Sequence, residues 1–419
     1  MEYRAECHKL TGDMMKPMPY WSDHMHNDVV HHDQIDPGTY PLPEGERTQI
    51  CSKTITYMLD GHVGLLADLA LMAQVAGLAR EVKRTFLVDD TYWNRGKWTD
   101  HFQDVRARQP GPEPGCRAPP PEELVACPRT ARHWVVNSRT AKYHFGHGFF
   151  NEFEDPYARE INRLKPIYAR ARESLTKTLR PNAANAALIS SARVEFDSLL
   201  PPTPPTPPGA TPRDPGRYIS VHIRRGDLNG TSWKYHSQHV ATREYSAGIS
   251  DSWDRLFLNG SSPAEKASLT PVVYLASDSP SVVSELRPLL KPGSTVFSLS
   301  QSRSPALREL ASPGEYIQHE FNGLPAEDRV RLTRGMVVDF AMLSGFWAWD
   351  DEVKPGAVVC AIGSNICKMS AVGLEWNRAF GHGFKDNQDG EIDEQHKRWV
   401  EVDQKGAVEP VWEAFEVFQ

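Results

Sequence analysis

The chain alternates two periods, and that alternation limits what it can fold into more than any other feature. Short runs of β-branched and aromatic residues are each followed by a longer stretch whose apolar residues recur at helical spacing. Residues 54–59 are strand-like, and Gly61-His-Val-Gly64 is a turn. Residues 65–82 then place Leu65, Leu66, Leu69, Met72, Ala73 and Ala76 at helical spacing, and residues 84–88 form the next strand, stopped by Asp89 and Asp90. Such a strand–helix–strand unit implies parallel pairing and a right-handed crossover. The rhythm returns beyond residue 217. Strands are expected at 218–223, 271–276, 294–299 and 357–362. Helices are expected around 244–256, over 281–290, over 326–346 and over 366–374. This is the pattern of doubly wound, Rossmann-like α/β domains.

A chain of 419 residues is too long for one ordinary core and suits two domains. The expected division starts with an irregular segment at 1–48, followed by a first Rossmann-like domain at 49–200. A proline-rich linker at 201–216 leads into a second Rossmann-like domain at 217–380. A tail at 381–419 packs back on the domains. Residues 103–130 read as a Pro/Gly-rich excursion, and a helical region is expected over 156–200.

The formal net charge of -7 argues against nucleic acid as a partner. No run of about 18 apolar residues occurs, so no transmembrane segment is expected. The first 36 residues are polar and lack the apolar core of a signal peptide. The six cysteines are Cys7, Cys51, Cys116, Cys127, Cys360 and Cys367, none with the paired spacing of a zinc site. Cys116 and Cys127 bracket a proline-rich loop, and a disulfide between them would staple it in an oxidising compartment. The sequons at Asn229 and Asn259 fit the same compartment. Cytoplasmic residence is the alternative, favoured by the absence of a leader.

Three expected strands of the second domain end in polar clusters. They are His222/Arg224/Arg225/Asp227, Ser277/Asp278/Ser279 and Gly363/Ser364/Asn365. Strand ends of one parallel sheet share one rim, where ligands of such sheets bind. Two arginines suit the bidentate grip of a phosphate or carboxylate, with a solvated turn as the alternative. Gly363-Ser-Asn365 opens a helix, whose free N–H groups favour an anion. Ser277-Asp-Ser-Pro280 also fits a helix cap. Asp339 lies in an apolar helix, so its carboxylate is expected to have a partner. Asp350-Asp-Glu352 reads as a solvated helix end rather than a metal site.

The ordered set of these segments resembles the fucosyltransferase superfamily of α1,6-fucosyltransferases, rhizobial chitin-oligosaccharide fucosyltransferases and protein O-fucosyltransferases. His222-Ile-Arg-Arg-Gly-Asp227 resembles its His-x-Arg-Arg motif, and Val273-Tyr-Leu-Ala-Ser-Asp-Ser-Pro280 its second motif. Residues 334–344 with 359–368 resemble its third. Gly61-His-Val-Gly64 resembles the Gly-rich loop of the first domain. Residues 84–93 with Trp98 resemble the strand and Trp-bearing loop that follow, and Leu179-Arg-Pro-Asn182 a short segment before the donor domain. The likeness runs from about Cys51 to Leu374.

The resemblance implies a GT-B fold, two Rossmann-like domains facing a cleft, and an inverting glycosyltransferase using GDP-fucose without a metal. The acceptor would be a glycan or glycoprotein, and the compartment the secretory pathway. His222, Asp278 and Asp339 would lie near guanosine, and Arg224 would grip the β-phosphate and scissile oxygen. Ser364 would help to hold the diphosphate, with Arg225, Asp227, Ser277, Gly363, Asn365, Gly61 and Gly64 completing the donor site. The family's α1,6 members place a glutamate ten residues after the motif histidine, where this chain has Ser232. His62 is therefore the candidate base, with Asp227 and His236 in reserve. Trp93 and Trp98 are candidates for a sugar-stacking platform. A transferase for another nucleotide sugar, or a non-catalytic nucleotide-sugar or glycan binder, are the alternatives.

Overall fold

The computed structural model describes residues 49–61, 63–120, 123–125, 131–138, 141–145, 161–201, 216–226, 239–258, 269–381 and 392–403. They form two units. One holds the described residues up to 145 together with 169–182, and the other holds 161–168 and 183–403. Each unit is built on one wholly parallel sheet, as the alternating pattern requires.

In the first unit the strands are β1 (Thr54–Met58), β2 (Thr85–Asp89), β3 (Leu124–Val125) and β4 (His133–Val136), in the order β2-β1-β4-β3. Every residue of β1 and β2 is buried, as expected of strands covered on both faces. Helix α1 (Leu65–Glu81) is the crossover between them and is buried along nearly all its length. A disulfide joins Cys51 to Cys116, beside a backbone bond from Cys51 N to Arg117 O at 3.0 Å. The expected Cys116–Cys127 pairing is therefore wrong, because Cys116 meets the chain just ahead of β1. Closing a loop of 65 residues stabilises the unit by about 4 kcal/mol in the chain-entropy view.

In the second unit α2 (Ala183–Asp197) precedes β5 (Gly216–Ile223), and α3 (Thr242–Phe257) leads to β6 (Val272–Ser277). Helix α4 (Val282–Leu286) leads to β7 (Thr295–Phe297), and the long α5 (Ala326–Ser344) to β8 (Lys354–Cys360). Helix α6 (Asn365–Leu374) and β9 (Trp399–Glu401) complete a sheet ordered β7-β6-β5-β8-β9. One face of β5 carries Ile219, Val221 and Ile223 into a core with Tyr245, Ile249 and Trp253 of α3. The other face packs on α5: Tyr218 donates to Met342 O at 2.7 Å and Ser220 to Leu343 O at 2.8 Å.

Several sequence expectations shift for local reasons. Helix α2, read as the end of the first domain, belongs to the second. Its Arg193 donates to Ala341 O and Phe346 O and pairs with Glu352 at 3.1 Å, and its Phe196 ring meets Tyr218 edge-on at 4.7 Å. The helix over 281–290 stops after Leu286 and tightens into a 3₁₀ turn at Arg287–Leu289, where Pro288 cannot continue the ladder. Strand β8 begins earlier than expected, through Pro355 and Gly356, because the pairing with β5 is irregular between Gly216 and Ile219. The tail supplies the fifth strand of the sheet. Helix α5 stops at Ser344, two residues short of the expected 346, because Gly345 takes the left-handed cap conformation with φ of 75°.

Among the described residues no helix is long and apolar enough to cross a membrane. The Pro-rich run 202–208, both sequon asparagines and Cys127 lie outside the described residues.

Candidate active site

The second sheet reverses its winding at β5. From β5 the chain moves to β6 and β7 on one side, then returns to β8 and β9 on the other. The crevice beyond the carboxyl ends of β5 and β8 is thus a topological switch point, the preferred ligand position of open α/β sheets. Two of the three polar clusters, Arg224 after β5 and Gly363-Ser364-Asn365 after β8, flank it directly. The third, Ser277 and Asp278, ends the neighbouring β6.

His222 points to the face of β5 that carries Tyr218 and Ser220, which is the α5 side of the sheet. The ring is half-buried, and its Nδ1 has no hydrogen-bond partner among the described residues. Burial, and then the charge of Arg224, pull its pKa down to about 3. It is a neutral imidazole at physiological pH, ready to donate and accept hydrogen bonds.

Arg224 and Arg225 are neighbours in sequence with different roles. Arg224 lies close enough to His222 and Asp278 to act on the charge of both. The Arg225 guanidinium is occupied within the protein. It donates to Thr242 Oγ1 at 2.7 Å and Glu285 Oε2 at 3.3 Å, and to the carbonyls of Arg224 and Val240. Of the two arginines expected to grip an anion, Arg225 is taken up in holding the turn.

Asp278 does not cap the following helix. Its Oδ1 accepts the backbone N–H of Arg225 at 2.6 Å, which fixes the residue after Arg224. Burial raises its pKa, opposed by that bond and by Arg224. Ser277 donates to Ile223 O at 2.7 Å and also ties the ends of β5 and β6 together. Both residues hold the turn that carries Arg224. Gly226 packs so closely that a Cβ there would stand 2.7 Å from Tyr316 O and 2.8 Å from Asp278 Oδ2.

Across the switch point Ser364 is the N-cap of α6 and makes no side-chain capping bond. The amides of Cys367 and Lys368 bond to Ser364 O. Those of Asn365 and Ile366, in the first turn, have no intrahelical acceptor. The turn is braced by the Cys360–Cys367 disulfide. A helix end with open N–H groups and a positive dipole is suited to phosphate.

Asp339 lies on α5, against β6. It accepts from the Tyr274 hydroxyl at 2.6 Å, and Tyr274 lies three residues before the end of β6. The expected partner of this carboxylate is therefore a tyrosine. Burial raises its pKa to about 7, and the bond from Tyr274 only partly opposes that.

His222 and Asp339 have opposite linkage to folding. Native Asp339 holds a proton that an unfolded aspartate loses near pH 3.9, so its contribution to stability falls as pH rises from about 4 to about 7. Native His222 refuses a proton that an unfolded histidine takes near pH 6.5, so its contribution falls as pH drops from about 6.5 to about 3. Asp339→Asn should therefore lose stability relative to the parent as pH falls through 7 to 4. His222→Asn should gain stability relative to the parent over nearly the same window. Urea midpoints between pH 4 and 8 check both signs, and two parallel curves would contradict them.

Gly61 and Gly64 lie in the other unit, where Gly61 follows β1 with φ of 73° and Gly64 is the N-cap of α1. A Cβ on Gly64 would meet nothing within 4 Å among the described residues. Trp93 and Trp98 form no platform. They are 7% and 0% exposed, and Trp98 stacks on Phe102 with its indole donating to Gln103 O at 2.9 Å. His62, Asp227, Ser232 and His236 lie outside the described residues.

No family model and no curated protein matches the chain. Among solved structures it is similar to NodZ α-1,6-fucosyltransferase soaked with GDP-fucose, at 13% identity over 76% of this chain and 92% of that one, with a TM-score of 0.34. It is similar to fucosyltransferase NodZ from Bradyrhizobium at 13% identity over 73% and 87%, with a TM-score of 0.31. It is similar to POFUT1 in complex with GDP at 9% identity over 77% and 95%, with a TM-score of 0.35.

Proposed function

We propose that the chain is an inverting glycosyltransferase of GT-B type that moves fucose from GDP-fucose to a hydroxyl of a glycan or protein. The observation that carries this reading is the placement of Arg224 and the open first turn of α6 on the two strands flanking the switch point. The identity of the donor rests on the resemblance of the motifs that contain these residues.

The chemistry follows from charge. Displacement at the anomeric carbon breaks its bond to the β-phosphate oxygen, and negative charge develops on the diphosphate. Fixed donors aimed at that charge stabilise the transition state by about 3–4 kcal/mol for each important donor. Arg224 takes the β-phosphate and the scissile oxygen, and the amides of Asn365 and Ile366, with Ser364, take the diphosphate. Neutral His222 bonds to the nucleoside, and Asp339 accepts from its base or ribose. Asp278, Ser277 and Arg225 hold the turn bearing Arg224. His62 is the proposed base that takes the acceptor proton.

Two positive features at one rim supply the charge stabilisation that a divalent ion supplies in other sugar transferases, so the reaction needs no metal. Disulfides at Cys51–Cys116 and Cys360–Cys367 favour an oxidising compartment, in keeping with the secretory pathway.

The test is a screen of glycan and peptide acceptors with labelled GDP-fucose, repeated after dialysis against EDTA and with His62→Ala. Transfer is expected, unchanged by EDTA and lost in His62→Ala with GDP binding retained. Transfer only from another nucleotide sugar would replace the donor assignment. GDP binding with neither transfer nor slow GDP release would make the chain a binding protein.

A further inference from the structure

The three strand-end clusters leave the C-terminal segment without a role, yet the structure ties it to the turn that opens α6. Strand β9 pairs with β8 in parallel register, with Trp399, Val400 and Glu401 opposite Val358, Val359 and Cys360. Val402 N then donates to Cys360 O at 2.9 Å, just where β8 ends. The Asp403 carboxylate, 1% exposed, accepts the N–H of Ile362 at 2.9 Å. The Trp399 indole, also 1% exposed, donates to Cys367 O in the first turns of α6 at 3.0 Å.

These bonds hold the Ala361–Asn365 turn from both sides, at Cys360 just before it and Cys367 just beyond it, and at Ile362 within it. A turn that presents backbone amides to a diphosphate must keep them aimed within fractions of an ångström. The side chain of Ser364 does not do this, since it makes no capping bond. A buried carboxylate beside a helix N-terminus also has an electrostatic drawback, because its charge repels the anion the turn would receive. Its retention there is explained by the Ile362 bond. A charge-assisted bond to a buried N–H is shorter and stronger than a neutral one.

We infer that residues 399–403 are the clamp of the anion-binding turn, with Asp403 as its positioning residue and Trp399 as its second hold. The inference rests on the reading of that turn as a diphosphate site. It makes the tail part of the donor site rather than a passive closing strand.

The test compares Asp403→Ala and Asp403→Asn in the full chain, with GDP, inorganic pyrophosphate and guanosine as probes in calorimetric and competition titrations. Asp403→Ala should bind GDP and pyrophosphate at least about tenfold more weakly. Its affinity for guanosine, which carries no phosphate, should be unchanged. Asp403→Asn keeps the accepting oxygen and loses the charge, so it should bind GDP within about threefold of the parent. General structural damage would weaken guanosine and GDP alike, and that result overturns the inference. So does an Asp403→Ala protein that binds GDP normally.

If Asp403→Ala does not fold, Trp399→Phe keeps an aromatic ring at the position and removes the bond to Cys367 O. It should weaken GDP about threefold, and unchanged affinity overturns the inference. A parent protein that binds guanosine but neither GDP nor pyrophosphate removes the diphosphate reading together with the clamp. Normal GDP binding in both tail variants removes the clamp alone.

Discussion

Arg224→Ala should lower turnover of GDP-fucose by about 100- to 1,000-fold while the protein stays folded, the loss seen when one preorganised donor to a developing charge is removed. The residue is half-buried at the end of β5, outside the strand, so truncation leaves the sheet ladder intact. Its neighbour provides the internal control. Arg225→Ala removes bonds to Thr242, Glu285 and Val240 and should cost both stability and activity, because Arg225 fixes the turn. Turnover in Arg224→Ala within about threefold of the parent would exclude Arg224 as the leaving-group clamp. Arg224→Lys is expected to recover little, since lysine lacks the planar fork that meets two phosphate oxygens together.

Gly226→Ala should have the second large effect, through the backbone. The added Cβ would lie 2.7 Å from Tyr316 O and 2.8 Å from Asp278 Oδ2. Neither neighbour is free to yield. Tyr316 N donates to Asp278 O at 2.8 Å, and Asp278 Oδ1 already holds Arg225 N. The turn must therefore move, and Arg224 moves with it. Turnover should fall at least about tenfold, and stability by about 1–3 kcal/mol as for other overpacked sites. Steady-state kinetics beside a urea titration separate the two losses. A Gly226→Ala protein with normal kcat would mean that the Arg224 turn tolerates displacement.

The sequence made the strands legible wherever a strand is a run of five or more residues rich in β-branched and aromatic side chains. Thr54-Ile-Thr-Tyr-Met58 and Tyr218-Ile-Ser-Val-His-Ile223 declare themselves, and the polar residues after the second place the rim. The alternation implies parallel sheets, but the order of strands, and with it the switch point between β5 and β8, is set by which strands pair in space. Short or interrupted elements were not legible. Strand β9 has three residues, too few for a period, and it exists because β8 offers it an open edge. Lys354-Pro-Gly356 lies ahead of the strand expected at 357–362 and becomes strand because the irregular pairing opposite it tolerates proline.

Within the site, residue type was legible and orientation was not. Nothing in Arg224-Arg225 indicates which guanidinium turns inward, because that depends on Thr242 and Glu285, which lie 17 and 60 residues away. Asp278 reads as a helix cap from its neighbours and turns out to serve β5, a long-range bond with no local signature. Trp93 and Trp98 have the composition of a sugar platform and the burial of a core. Asp403 and Trp399 were missed for the same reason as Asp278. Their partners, Ile362 and Cys367, lie 41 and 32 residues away in sequence.

The central claim is that the second unit holds a guanosine diphosphate through Arg224 and the first turn of α6. Calorimetric titration of the intact chain with GDP, alongside UDP, tests it most directly. One saturable GDP site is expected, with UDP weaker by at least about tenfold and GDP weakened in Arg224→Ala. A parent protein that does not bind GDP, or that binds UDP equally well, would contradict it.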